Sequence, residues 1–174
     1  MHNAHEERYV FYRSCHADFS EALRLLEDAE ELEDNNAIPN RVSGTLQRYA
    51  VVVYFRPFTR ADTTFAHPQH HGKNAKKICL GKGFIPAELL PFHDELRTYR
   101  DSAYAHTDIA IRNPRLHFWR GGPWEFPIAI SPPDKKPLHI HRDKMKQLCA
   151  TGLAWLNNEI KNMEEQFRIQ YRDD

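Results

Sequence analysis

The strongest constraint on this chain lies near its end. Met145, Cys149, Gly152, Leu156, Ile160, Met163 and Phe167 recur at three- and four-residue steps. At 100° of rotation per residue this spacing puts all seven on one face of a helix about six turns long. A helix that is apolar on one side must bury that side against another element, so the chain has to build a core around it. Glycine inside the stripe costs about 1 kcal/mol against alanine, which predicts that Gly152 admits the close approach of a neighbouring helix.

Three further segments carry the same period. Tyr9, Tyr12, His16, Phe19, Leu23 and Leu26 form an apolar stripe that runs to about Leu32 and is ended by Asn35-Asn36-Ala37-Ile38-Pro39. Asn40 is suited to cap a second helix with Val42, Leu46, Tyr49 and Val53 inward. The Val51–Val53 run also suits a strand, but the 42/46/49/53 spacing persists through it and favours helix. Pro57 closes or kinks this element because it has no N–H to donate. Residues 59–84 show no period and are expected to form a long, mobile loop. Pro86 opens a short turn and Pro91 starts a third helix with Leu89, Phe92, Leu96, Tyr99 and Ala103 as its stripe, stopped by Asn113-Pro114.

Between the third and fourth helices, Leu116-His117-Phe118-Trp119 and Trp124-Glu125-Phe126 flank Gly121-Gly122-Pro123, the pattern of a hairpin or ordered loop. Four amphipathic helices without alternating β and α segments predict an all-α fold. The expected architecture is an antiparallel four-helix bundle with a long loop after helix 2 and a hairpin-like insertion between helices 3 and 4. No internal repeat, low-complexity tail or linker divides the chain, so one helical domain is expected over 1–174.

Charge and cysteine use narrow the function classes. No apolar run approaches the roughly 20 residues of a membrane span, and the N-terminal residues lack the basic start and apolar stretch of a secretory signal. Cys15, Cys79 and Cys149 are odd in number and scattered, against both a disulfide framework and a zinc knuckle. A cytoplasmic protein with no membrane partner is expected. The net charge is zero, yet eight acids and only Arg24 lie between Asp18 and Asp34, while residues 35–87 hold eight Lys or Arg and only Asp62. Such asymmetry yields either a phosphate-holding positive surface or an acidic helix packed beside a basic one.

The candidate chemistry lies on the third helix. Arg100 stands beside its stripe, and His106 continues the stripe at the C-terminal end. Six residues separate them by about 9 Å of rise and about 120° of rotation, so a long arginine and an end-of-helix histidine can border one groove. Arg100-Asp101, four residues and then His106 resembles the Arg-x(4–6)-His motif of the HEPN superfamily, in which a polar residue often follows the arginine. The segments Phe92–Leu96 and Ala105–Asp108, and Arg56-Pro57-Phe58-Thr59-Arg60 after the second helix, resemble small bacterial members. The bare spacing also occurs from Arg60 to His67 and from Arg112 to His117; only the middle pair falls on an expected helix.

The resemblance implies metal-independent cleavage of single-stranded RNA, of toxin or defence type, with no cofactor. A ribose 2′-hydroxyl would attack the adjacent phosphorus and leave a cyclic phosphate and a free 5′-hydroxyl. His106 would exchange protons near neutrality, and Arg100 would hold phosphate oxygens. Asp101 or Tyr104 would orient them, with His93 two turns upstream as a further candidate. One histidine does not readily serve as acid and base in one step, so a homodimer would supply the second across its twofold axis. A cognate antitoxin is the matching partner. The alternative is a HEPN-like domain that binds without cutting.

Two other clusters have milder readings. His67, His70 and His71, and the pair His139 and His141, lack cysteine or carboxylate companions at ligand spacing, so no metal site is expected. Phe118, Trp119, Trp124 and Phe126 suit either base stacking or covering an open core edge, and the second is the commoner use.

Overall fold

A computed structural model describes residues 4–34, 40–59, 61–62, 77–101, 115–119, 126–130 and 141–170. The described chain is mostly helical. Its elements are α1 (Ala4–Asp34), α2 (Asn40–Tyr54), a 3-10 turn (Arg56–Phe58), β1 (Ala61–Asp62), β2 (Lys77–Ile78), α3 (Leu90–Tyr99), β3 (Arg115–Trp119), β4 (Phe126–Ile130) and α4 (Arg142–Gln170). No described helix is long and apolar enough to cross a membrane.

α4 buries Met145, Leu148, Cys149, Leu156, Ile160 and Met163 along the expected stripe. Gly152 is buried within that stripe, and a Cβ built there would stand 2.5 Å from Cε2 of Phe19. The predicted close approach is therefore the contact of α4 with α1. Around it the pairing runs in opposite senses: Tyr9 donates to Glu164 Oε1 at 2.8 Å, and at the other end Lys146 pairs with Glu30 and Arg142 with Glu30 and Glu33.

α1 and α2 are rotated relative to the expected stripes. In α1 the sealed residues are Tyr12, Cys15, Phe19, Ala22, Leu26 and Ala29, with His16 and Leu23 half-buried. In α2 they are Ser43, Ala50, Val51, Val53 and Tyr54, whereas Val42 and Tyr49 are exposed. Small residues are among the sealed positions in both helices, and a stripe drawn through the largest apolar side chains misses them. Ser43 also looks polar on paper, but its hydroxyl donates to Glu33 across the helix pair, so its burial is compensated. Val51–Val53 is helix, not strand.

Four acids of the α1 run, Asp18, Glu21, Glu30 and Glu33, are paired from two sides. Arg56 pairs with Asp18 and Glu21, both at 3.3 Å, while Arg142 and Lys146 of α4 serve Glu30 and Glu33. An acidic helix packed against basic neighbours accounts for these groups, and two of the three cations come from α4.

The segment 59–84, expected as a long loop, contains regular structure among its described residues. β1 and β2 pair antiparallel at its base, with Ala61 opposite Ile78. The Leu80 N–H donates to Pro57 O at 2.8 Å, Leu80 and Ile85 are buried, and Phe84 stacks on Trp155. These residues join the one core cluster without sharing a helical period. Residues 63–76 lie outside the described residues.

α3 buries Leu89, Phe92, His93 and Leu96, and Pro91 lies in its first turn, where an absent N–H costs nothing. The turn before it is closed by Leu89 N–H donating to Pro86 O at 2.9 Å. β3 and β4 form an antiparallel ladder with Arg115 opposite Ile130 and Trp119 opposite Phe126, within the segment where a hairpin or ordered loop is expected.

Candidate functional site

The described end of α3 lies against the turn that follows α2. Arg100 is the last cation of the described residues there, and three groups hold it. Its Nε donates to Asp101 Oδ1 at 2.7 Å and its Nη2 pairs with the same carboxylate. Its Nη1 donates to Thr59 Oγ1 at 3.1 Å. Its guanidinium carbon lies 5.2 Å from the centre of the Phe55 ring, within cation–π range. The Thr59 hydroxyl in turn donates to Phe55 O at 3.0 Å. Arg100 is thus fastened to the α2 exit by side chain and ring at once, and with about a fifth of its side chain exposed it still reaches solvent.

His93 lies seven residues upstream, two turns back on the same face. It is fully buried. A hydrogen bond of 2.9 Å joins its Nδ1 to the Tyr54 hydroxyl, and Tyr54, Phe55 and Phe58 surround the ring, with centroids 5.7, 5.0 and 4.8 Å away. Nε2 is buried with no hydrogen-bond partner among the described residues. Burial lowers its pKa to about 4, helped by the field of Lys82, while Asp94 opposes the shift. The imidazole is therefore neutral at pH 7 and serves the packing. A proton shuttle needs access to its substrate, which this ring lacks.

The structure thus brings Arg100 and Asp101 together and places His93 beneath them. Tyr104 and His106 lie outside the described residues, as do His67, His70, His71, His139 and Trp124. His141 is exposed at the start of α4, where its ring meets Phe92 at 6.2 Å. Among the described residues no three His, Cys, Asp or Glu side chains are grouped to hold a metal ion. Cys15 and Cys149 are buried, and burial pushes both thiols up to about 12, so neither is a nucleophile at neutral pH.

Sequence reasoning missed Thr59 and Phe55 as the groups that position Arg100. They precede it by 41 and 45 residues, and no local period links them. The only available signal was the Arg56–Arg60 segment itself, whose polar and aromatic residues follow directly on a helix end.

Comparison with protein-family models, with curated proteins and with solved structures finds no match to this chain.

Proposed function

We propose that this chain is a HEPN-like domain, an antiparallel four-helix bundle, acting in the cytoplasm as a metal-independent endoribonuclease of toxin or defence type. The reading is supported above all by Arg100, whose guanidinium is held at the end of α3 by Asp101, Thr59 and Phe55 while remaining partly open to solvent. A cation fixed in this way binds a phosphoryl oxygen without first losing its own conformational freedom. In the proposed reaction Arg100 stabilises the pentavalent phosphate, and His106 exchanges the proton of the 2′-hydroxyl or of the leaving 5′-oxygen. Asp101 and Tyr104 orient the pair. A second copy supplies the complementary histidine, single-stranded RNA is the substrate, and a cognate antitoxin restrains the enzyme.

One observation favours a second reading. Asp101 already neutralises Arg100, which suits a HEPN-like domain that recognises a partner and cuts nothing. Incubation of short single-stranded RNA with the protein in EDTA separates the two. Cleavage to cyclic-phosphate ends that is abolished in His106→Ala and Arg100→Ala supports the nuclease. Cleavage untouched by His106→Ala removes the mechanism, and an inert wild-type protein leaves the binding domain.

A further inference from the structure

α1, α4 and the segment after β2 border a cleft of about 350 Å³ that shares no lining residue with the Arg100 site. That volume lies within the range of small-molecule sites, roughly 300–1,000 Å³. Its apolar walls are aromatic: Phe84 and Trp155 stack at 5.0 Å with 16° between their planes, and Tyr12 meets Trp155 edge-on at 5.4 Å. Arg8 stands at the rim, its guanidinium carbon 5.8 Å from the centre of the Tyr12 ring. Among the described residues Arg8 has no hydrogen bond or ion pair. The acid whose field reaches Tyr12 from α4, Glu159, does not line the cleft.

The remaining wall is Cys79-Leu80-Gly81-Lys82-Gly83, of which all but Lys82 line the space. Neither glycine is required by crowding, because a Cβ at Gly81 or Gly83 would meet nothing within 4 Å, and neither has a left-handed backbone. Glycine at both positions adds no side chain to this wall beyond those of Cys79 and Leu80. Aromatic walls, a wall with two glycines and a guanidinium at the mouth that has no ion pair among the described residues together describe a receptor for a flat ring with one negative charge.

We infer that this cleft binds a small planar aromatic anion, its ring against Phe84 and Trp155 and its carboxylate or phosphate on Arg8. The site is independent of the nuclease reading, since it shares no residue with Arg100, Asp101 or His106.

The probe is 2-naphthoate, with 2-naphthalenemethanol as its uncharged match and cyclohexanecarboxylate as its non-planar match. Calorimetry on the full chain should show saturable naphthoate binding, about tenfold tighter than either match. Cys79 is exposed while Cys15 and Cys149 are buried, so alkylation of the native protein by iodoacetamide reports this wall alone. Saturating naphthoate should slow it severalfold. Arg8→Gln should bring naphthoate down to the level of the alcohol, and Gly83→Val, whose side chain enters open space, should abolish binding with an unchanged melting temperature. No saturable binding, equal binding of the three probes, or full binding by Gly83→Val would each overturn the assignment. Should Gly83→Val fail to fold, protection of Cys79 in the wild-type protein decides alone: an unaltered alkylation rate overturns it.

Discussion

His93 and Arg100 occupy one face of one helix, two turns apart, and both lie against Phe55, at 5.0 and 5.2 Å. Their fates are opposite. Tyr54 and Phe58 close over His93, which loses its charge, whereas Arg100 lies over the Phe55 ring and keeps both charge and solvent. A polar residue on an apolar face becomes a packing element or a binding element according to what lies above it. Its position in the helical period does not decide the matter.

The sealed region extends from His93 through Tyr54 to Phe19 and Gly152, since Tyr54 meets Phe19 at 5.4 Å. The comparison is tested most severely at its far end. Gly152→Val should destabilise the fold by about 3 kcal/mol, because the new side chain must displace a fully buried Phe19 ring. Urea unfolding that shows under 1 kcal/mol of loss would mean the interior yields, and then burial of His93 would not imply rigidity.

Next in size is the pH dependence of stability. The folded pKa of His93 is lowered to about 4, against about 6.5 in the unfolded chain. The unfolded state therefore takes up the proton first on acidification. The stability contributed by neutral His93 is complete above about pH 6.5 and is lost as pH falls from there through 4, amounting to roughly 2–3 kcal/mol at 1.36 kcal/mol per pKa unit. His93→Leu should lack this slope, so the difference between the two stability profiles should change with pH across that window. Parallel profiles from pH 6.5 to 4 would show that His93 titrates normally and is not sealed.

The smallest effect on stability is expected at the open station. Arg100→Ala removes an ion pair to the adjacent residue and a partly exposed ring contact, and should cost about 1 kcal/mol or less. Loss of 3 kcal/mol on thermal or urea unfolding would place Arg100 with His93 as a structural group. That result would weaken the case for a phosphate-binding role.

How much of this was legible beforehand depended on range. The α4 stripe, the Pro57 break, the start of α3 and the need for space at Gly152 all follow from residues within a few positions of one another. The Arg100-Asp101 pair was legible too, being adjacent. Thr59 and Phe55 were not, because the contact that positions Arg100 joins segments some 40 residues apart. Leu80 and Ile85 were hidden for the same reason: an apolar residue in a segment without a period shows that it wants burial but not where.

By itself, then, the amino-acid sequence determined which segments are helical and which face of α4 must be covered, since a 3.6-residue period is a local property of backbone geometry. Tertiary structure alone decided the rotation of α1 and α2, the partners of the acidic run, the closure over His93 and the exposure of Arg100. Those outcomes depend on which surfaces meet, and small or hydrogen-bonded residues such as Ala22, Ala50 and Ser43 are sealed as fully as the large apolar side chains.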